Sequence, residues 1–158
     1  KLEKTPVKGL HVFTGLITEI FMDWIYKPGL HQYFNTKMKL EMTCFDDVAK
    51  YVVAAVEKED RVGDLMLAGD VFTPIEMAEI FERATGKKFV DSFKSFEELQ
   101  KRIAEEREKG NHFHADLLGF SEATYDSRIS LPYIHNDEFP EIKPCNFENW
   151  LKMNYTEK

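Results

Sequence analysis

The chain has 158 residues, a formal net charge of −7 at pH 7 and a composition that is 43% hydrophobic and 13% aromatic. This apolar content can supply a core, which excludes a wholly disordered protein. The acidic balance, with no dominant run of Lys or Arg, argues against nucleic acid as a partner. No segment approaches the roughly 20 apolar residues that span a bilayer, which argues against a membrane protein.

The two cysteines, Cys44 and Cys145, lie far apart and form no Cys-x-x-Cys pair. We therefore expect neither a disulfide framework nor a zinc site, and a reducing, cytoplasmic location fits better. The first residue is Lys1 rather than Met. We expect the natural N-terminus to lie upstream.

The first predicted elements are a strand over residues 10–13 and a helix over residues 16–26. The helix follows from apolar residues at roughly helical spacing, and Pro28-Gly29 ends it. A strand that leads through Gly15 into a helix is typical of an α/β protein.

The next pair is a short strand over residues 40–43 and a helix over residues 46–57, which Thr43 is predicted to cap. Polar residues on this helix form only a narrow stripe near Lys50 and Glu57. Such a helix is expected to be mostly buried.

The apolar run 65–68 is too short for a helix and does not alternate, so it predicts a strand covered on both faces, as in a parallel sheet. Thr73, Pro74 and Glu76 then form a capping box that begins a helix, and Gly86 ends it. Further along we expect an edge strand over 88–90, a capped surface helix over 96–109 and a short helix over 113–118. We expect an extended loop over 131–144 and then a helix over 147–153 that Asn146 caps.

Motifs that carry chemistry are weak. The chain lacks a Gly-x-Gly-x-x-Gly loop and a phosphate-binding P-loop. His112 and His114 would point about 200° apart on a helix, so we assign no metal site to them. Cys44 begins a predicted helix, which favours a thiolate, but its apolar neighbours indicate core. We assign no catalytic residue.

The chain resembles the NmrA-like and isoflavone-reductase-like group of atypical short-chain dehydrogenase/reductases. Four pieces carry the resemblance, in the family's order. They are Gly9–Gly15 with Phe21-Met22; Phe45–Ala49; Leu65–Asp70 with Thr73–Glu76 and Gly86–Phe89; and Asn136–Pro140 with the ending 144–150.

The resemblance implies the C-terminal part of a Rossmann-like parallel-sheet domain. Residues 1–90 would form the second half of the α/β unit, and residues 91–158 a helical and loop region on the substrate side. In this family the dinucleotide loop and the catalytic lysine lie upstream of the matched part. The resemblance therefore implies pairing with an N-terminal half, or self-association.

The resemblance also implies a cofactor, NADP or NAD, and a small-molecule substrate. The expected function is that of an NAD(P)H-dependent reductase. One alternative is a non-enzymatic redox sensor or regulatory protein. Another is a small α/β interaction module that stands alone. By position, the cofactor side would be Thr14, Gly15, Leu16 and Ile17, and the substrate side Phe21. Trp24, Phe113 and Phe120 are further candidates for an aromatic substrate wall, with ordinary core as the alternative.

Overall fold

The computed structural model describes residues 9–58, 60–126 and 128–155, which form a mixed α/β fold. The strands are β1 (Leu10–Phe13), β2 (Leu16–Ile17), β3 (Leu40–Thr43), β4 (Gly63–Met66) and β5 (Asp70–Phe72). The helices are α1 (Thr18–Ile20), α2 (Phe45–Glu57), α3 (Pro74–Thr85), α4 (Phe96–Glu108), α5 (His112–Ala123) and α6 (Phe147–Asn154), with a π-helical segment at Phe21–Tyr26 and 3₁₀ turns at Leu30–Tyr33 and Asn136–Glu138.

The described strands form two small sheets. In one, β1 runs parallel to β4, with Leu10 opposite Gly63 and Phe13 opposite Met66. In the other, the central β3 runs parallel to β2 and antiparallel to β5. The predicted α/β class is thus confirmed.

The segment that follows β1 differs in part from the predicted helix over residues 16–26. Strand β1 lies where it was predicted, but the following helix begins at Thr18 instead of Leu16. Leu16 and Ile17 pair with Met42 and Thr43 in a parallel ladder, so their backbone groups are not available to a helix.

Helix α2 is much less buried than its sequence suggested. The predicted burial is wrong, because Val53 is 58% and Val56 71% exposed. The predicted Thr43 cap is also wrong. The Thr43 hydroxyl donates instead to the carbonyl of Thr14 at 2.9 Å, and Cys44 occupies the N-cap position without a side-chain bond.

The apolar run after α2 is buried as predicted. Leu65 through Ala68 are all buried, and the parallel pairing of β4 with β1 agrees with that burial. The strand itself is assigned to Gly63–Met66, two residues earlier than expected. Strand β5, over Asp70–Phe72, was not predicted from the sequence.

The C-terminal helices follow their capping signals. Thr73 and Glu76 form the predicted capping box of α3, with Pro74 in the first turn, and Gly86 ends the helix in the left-handed region. Ser95 caps α4 in the same way, and Asn146 caps α6. Helix α5 is longer than predicted, and the expected edge strand at residues 88–90 does not form.

Two clusters of buried side chains make up the core. The larger cluster collects residues from β3, β5, the π-helical segment and helices α3 to α6. The smaller cluster lies between α2 and β4. Its buried members are Tyr51, Ala55, Leu65, Leu67 and Phe139.

A buried carboxylate joins the start of α2 to the C-terminal region. Asp47 is fully buried, and its Oδ2 accepts a hydrogen bond from the backbone N–H of Cys145 at 2.6 Å. Its Oδ1 accepts from the Lys50 ammonium at 2.7 Å. Asp47 lies in the first turn of α2, where a negative charge is favoured, and it also anchors the segment that leads into α6.

Candidate ligand cavity

A cavity of about 450 Å³ opens beside the ends of β1 and β4. This volume lies within the range of small-molecule sites in proteins. Its walls are mainly apolar, with a few polar groups. The lining residues are Phe13, Thr14, Gly15, Leu16, Leu40, Glu41, Met66, Phe120, Arg128, Ile129, Ser130, Leu131 and Pro132.

The cavity lies where the two sheets meet. Phe13 and Met66 are paired at the carboxyl ends of the parallel strands β1 and β4, and both contribute to the lining. The chain then turns at Thr14 and Gly15 into β2. Open α/β sheets bind ligands at the carboxyl ends of their strands, where the strand arrangement changes.

Gly15 lets the turn pass directly against β3. Its φ is +61°, and a Cβ at this position would lie 2.4 Å from the Glu41 carbonyl oxygen. No other residue type fits such an approach. The glycine thus brings the Thr14–Leu16 backbone to the wall that Glu41 also forms.

Glu41 is the buried acid of the cavity, with 7% of its surface exposed. Neighbouring Leu40 and Met42 point into the larger core, so strand alternation directs Glu41 to the opposite face of β3. Burial raises the pKa of the Glu41 carboxyl, while hydrogen bonds from the backbone amides of Glu41 and Leu131 oppose that rise. Glu41 makes no ion pair with any residue in the described ranges.

The opposite wall is the segment 128–132, which carries one cation. Arg128 is exposed, and its Nε lies 2.5 Å from Oδ2 of Asp126. Its positive charge is therefore already paired at the mouth of the cavity. Ile129, Leu131 and Pro132 add apolar surface beside it.

The structure places the residues predicted on the cofactor side in one turn. Thr14, Gly15 and Leu16 all line the cavity. Ile17 follows them in β2 but is not part of the lining. Their role toward a cofactor stays a prediction.

The aromatic residues predicted on the substrate side are dispersed. Phe21 is fully buried in the larger core, 6.2 Å from the ring of Phe34. Trp24 and Phe113 are 52% and 59% exposed and contact each other edge to face at 5.7 Å. None of these three lines the cavity, whereas Phe120 does.

Glu41 and Arg128 were not singled out in the sequence. A signal for Glu41 was available, because it interrupts the apolar residues of the short strand Leu40–Thr43. A charged residue in a buried strand calls for a partner or a function. Arg128 gave no such signal, since it lies in a stretch without clear periodicity.

Other reactive side chains do not form a second centre. Burial raises the pKa of the Cys44 thiol to about 11, which suppresses the thiolate that a nucleophile needs. His31 is buried, burial lowers its pKa, and its Nε2 bonds the Phe89 carbonyl oxygen at 2.9 Å. Across the described ranges, no three His, Cys, Asp or Glu side chains cluster to hold a metal.

None of the described helices combines the length and the apolar character needed to cross a membrane. Comparison of the chain with protein-family models, curated proteins and solved structures gave no match.

Proposed function

We propose that this chain is the substrate-side half of a Rossmann-like, NAD(P)-linked protein of the NmrA-like type. In the complete protein, the cavity would hold a small organic substrate beside the nicotinamide, as in an NAD(P)H-dependent reductase. One observation carries the proposal. The turn Thr14–Leu16, which follows a parallel strand, forms a wall of a mainly apolar cavity.

The cavity fits only the reacting end of such a cofactor. A volume of about 450 Å³ suits a small substrate and a nicotinamide ring, not a whole dinucleotide. Arg128 is the one cation in the described lining, and the sequence has no glycine-rich phosphate loop. The phosphates would therefore bind in the other half of the protein.

The residues present would orient and shield the reacting groups. The bound cofactor would supply hydride chemistry. The backbone at Thr14 and Gly15 would approach the nicotinamide closely, since Gly15 lacks a side chain. Leu16 and Leu131 would exclude water from the reaction.

The free edge of β1 also supports a half-domain. The outer edge of β4 is occupied: the His135 N–H donates to the Met66 carbonyl at 2.8 Å, and Asn136 bonds the backbone of Ala68. In the part of the chain that the structure describes, β1 pairs only with β4. Parallel sheets are normally larger and covered on both faces, so further strands fit beside β1.

Fluorescence titration tests this proposal. The product of the whole reading frame that contains this sequence is titrated with NADPH and with NADH. We expect saturable binding, weakened on the order of tenfold by Leu16→Gln, which corresponds to about 1.4 kcal/mol. Val56→Gln, an exposed change on α2, serves as the matched control. Absence of binding to either nucleotide contradicts the proposal.

A non-enzymatic redox sensor is the second candidate. The described cavity lining contains Glu41 and Arg128 as its only titratable side chains, with no lysine or tyrosine of dehydrogenase type. A protein that binds NADPH but reduces neither carbonyl nor enone substrates would favour the sensor. Turnover of either substrate class would favour the reductase.

A further inference from the structure

One buried acid of the cavity has no cationic partner among the described residues. Glu41 is more than nine-tenths buried, it belongs to the cavity lining, and it has no ion-pair partner among the described residues. A buried carboxylate is costly unless an opposite charge or several hydrogen bonds compensate it. Here the opposing contacts are only the backbone amides of Glu41 and Leu131.

The nearby protein cation does not supply the missing charge. Arg128 lines the same cavity, but its guanidinium is exposed and bonded to Asp126 at 2.5 Å. The cavity thus contains one unpaired acid in mainly apolar surroundings. A ligand that brings its own positive charge would gain the most there.

We propose that the cavity binds a small, mainly apolar molecule that carries a protonated amine, and that the amine pairs with Glu41. The apolar body of the ligand would lie against Leu16, Phe120 and Ile129. Thr14 and Ser130 line the same space, and their hydroxyls would offer further acceptors for the N–H groups. The inference rests on the proposed function only in taking this cavity as the substrate site.

Three features of the cavity agree with this ligand class. An ammonium group has three donors, which one carboxylate and two hydroxyls can accept. Charge-assisted hydrogen bonds are stronger than neutral ones. The volume admits an aromatic ring with a short aminoalkyl group.

Calorimetry with two matched probes tests the inference on the full chain. Benzylamine is protonated at pH 7, and benzyl alcohol has nearly the same shape without charge. We expect benzylamine to bind at least about tenfold more tightly than benzyl alcohol. Glu41→Gln should abolish that preference, measured as the ratio of the two affinities.

The controls separate charge at Glu41 from charge in general. Glu108→Gln removes an exposed acid on α4 and should keep the preference for the amine. Glu41→Asp retains the charge, so it should retain a preference for benzylamine even where Glu41→Gln fails to fold. Circular dichroism establishes folding for each variant.

Several results would overturn the inference. They are equal binding of the two probes by the unmodified chain, an unchanged preference in folded Glu41→Gln, and no benzylamine binding at about 10 mM. Failure of the NADPH titration alone contradicts the proposed function and leaves the amine site standing. The two proposals are therefore tested separately.

Discussion

The two core clusters differ in how completely the described chain covers them. The larger cluster is enclosed by the π-helical segment and by α3 to α6, which contribute aromatic and aliphatic side chains from several directions. The smaller cluster has α2 and the β1–β4 pair around it, and its fully enclosed members are few.

This difference shows where the described part of the chain leaves apolar surface uncovered. Around the smaller cluster, Val53 and Val56 remain in solvent, and β1 has one unpaired edge in the described part of the chain. A groove along α2 includes Val53 and adds Ala49, Ala54 and Ile142, with Lys50, Glu57 and Glu141 also in its lining. Such features fit a region that completes its packing with further strands and helices, as the half-domain proposal requires.

The largest expected effect comes from the larger cluster. Phe81 is fully buried, with its ring centroid 4.8 Å from Tyr26 and 5.2 Å from Phe89. Phe81→Ala should lower the free energy of unfolding by about 3–5 kcal/mol, because it leaves a cavity among packed rings. Urea unfolding measures the change. Phe113→Ala, at an exposed ring, should cost much less, and equal costs would contradict the comparison.

Substitution of Asp47 tests the connection between the start of α2 and the segment that leads into α6. Asp47→Ala removes the acceptor of the Cys145 N–H and should cost about 1.5–3 kcal/mol in unfolding free energy. Its contact with the exposed Lys50 ammonium adds little. Asp46→Ala, an exposed change in the same helical turn, is the control. Similar losses for both variants would show that only the helix dipole matters.

Tyr51 tests the packing of the smaller cluster. Its hydroxyl is buried and has no hydrogen-bond partner within the described ranges, while its ring packs edge to face on Phe139 at 5.7 Å. Tyr51→Phe removes an unsatisfied polar group and should raise the unfolding free energy by about 1 kcal/mol. Destabilisation in thermal or urea unfolding would mean that the hydroxyl finds a partner.

Acid titration tests the ion pair between α3 and α6, two helices that contribute to the larger cluster. Hydrogen bonds from Arg83 and then Lys152 lower the pKa of Glu148 to about 2 from its ordinary 4.5. The lowered pKa means that this contribution to stability is present above pH 4.5 and is lost as the pH falls toward 2.

Glu148→Gln should therefore remove part of the acid dependence of the thermal midpoint between pH 4.5 and 2. The exposed variant Glu108→Gln should leave that dependence in place. Identical profiles for Glu148→Gln and the unmodified chain would contradict the role given to this network.

The smallest effect on stability is expected at the exposed face of α2. Val53→Ser combined with Val56→Ser should change the unfolding free energy by no more than about 0.5 kcal/mol, because neither side chain is buried. Sedimentation then measures self-association. A dimer of the unmodified chain that dissociates in the double variant would identify this face as the contact. A stable monomer that unfolds cooperatively would favour a module that stands alone.

Much of the local structure could be predicted because its signals are local. The Thr73–Glu76 and Ser95–Glu98 capping boxes each act within one helical turn, and both form as expected. Predictions failed where distant pairing decided the outcome. Leu16 and Ile17 have helical spacing, yet they pair with β3, whose residues lie more than 20 positions away. A hydrogen bond from the Thr43 hydroxyl to the Thr14 carbonyl, 29 positions away, likewise takes Thr43 away from its predicted cap.

No cavity was predicted from local patterns. Of the residues that the resemblance assigned by position to the cofactor side, Thr14, Gly15 and Leu16 line the cavity, and their role toward a cofactor stays a prediction. Glu41 and Arg128 were not found, since the sequence does not show that β3 and residues 128–132 face each other. The opposite holds for Trp24 and Phe113. As aromatic residues they were candidates for a substrate wall, whereas in the structure their exposed rings contact each other.

The sequence by itself determined the α/β class, the capped starts of α3, α4 and α6 and the burial of Leu65–Ala68, because capping groups and apolar runs act over a few residues. Only the tertiary structure decided which side of α2 is covered, since that depends on neighbours contributed by distant segments. It also decided that Gly15 passes against Glu41 and that this acid borders the cavity without an ion-pair partner among the described residues. Both outcomes depend on strand pairing across long sequence separations, which no local pattern encodes.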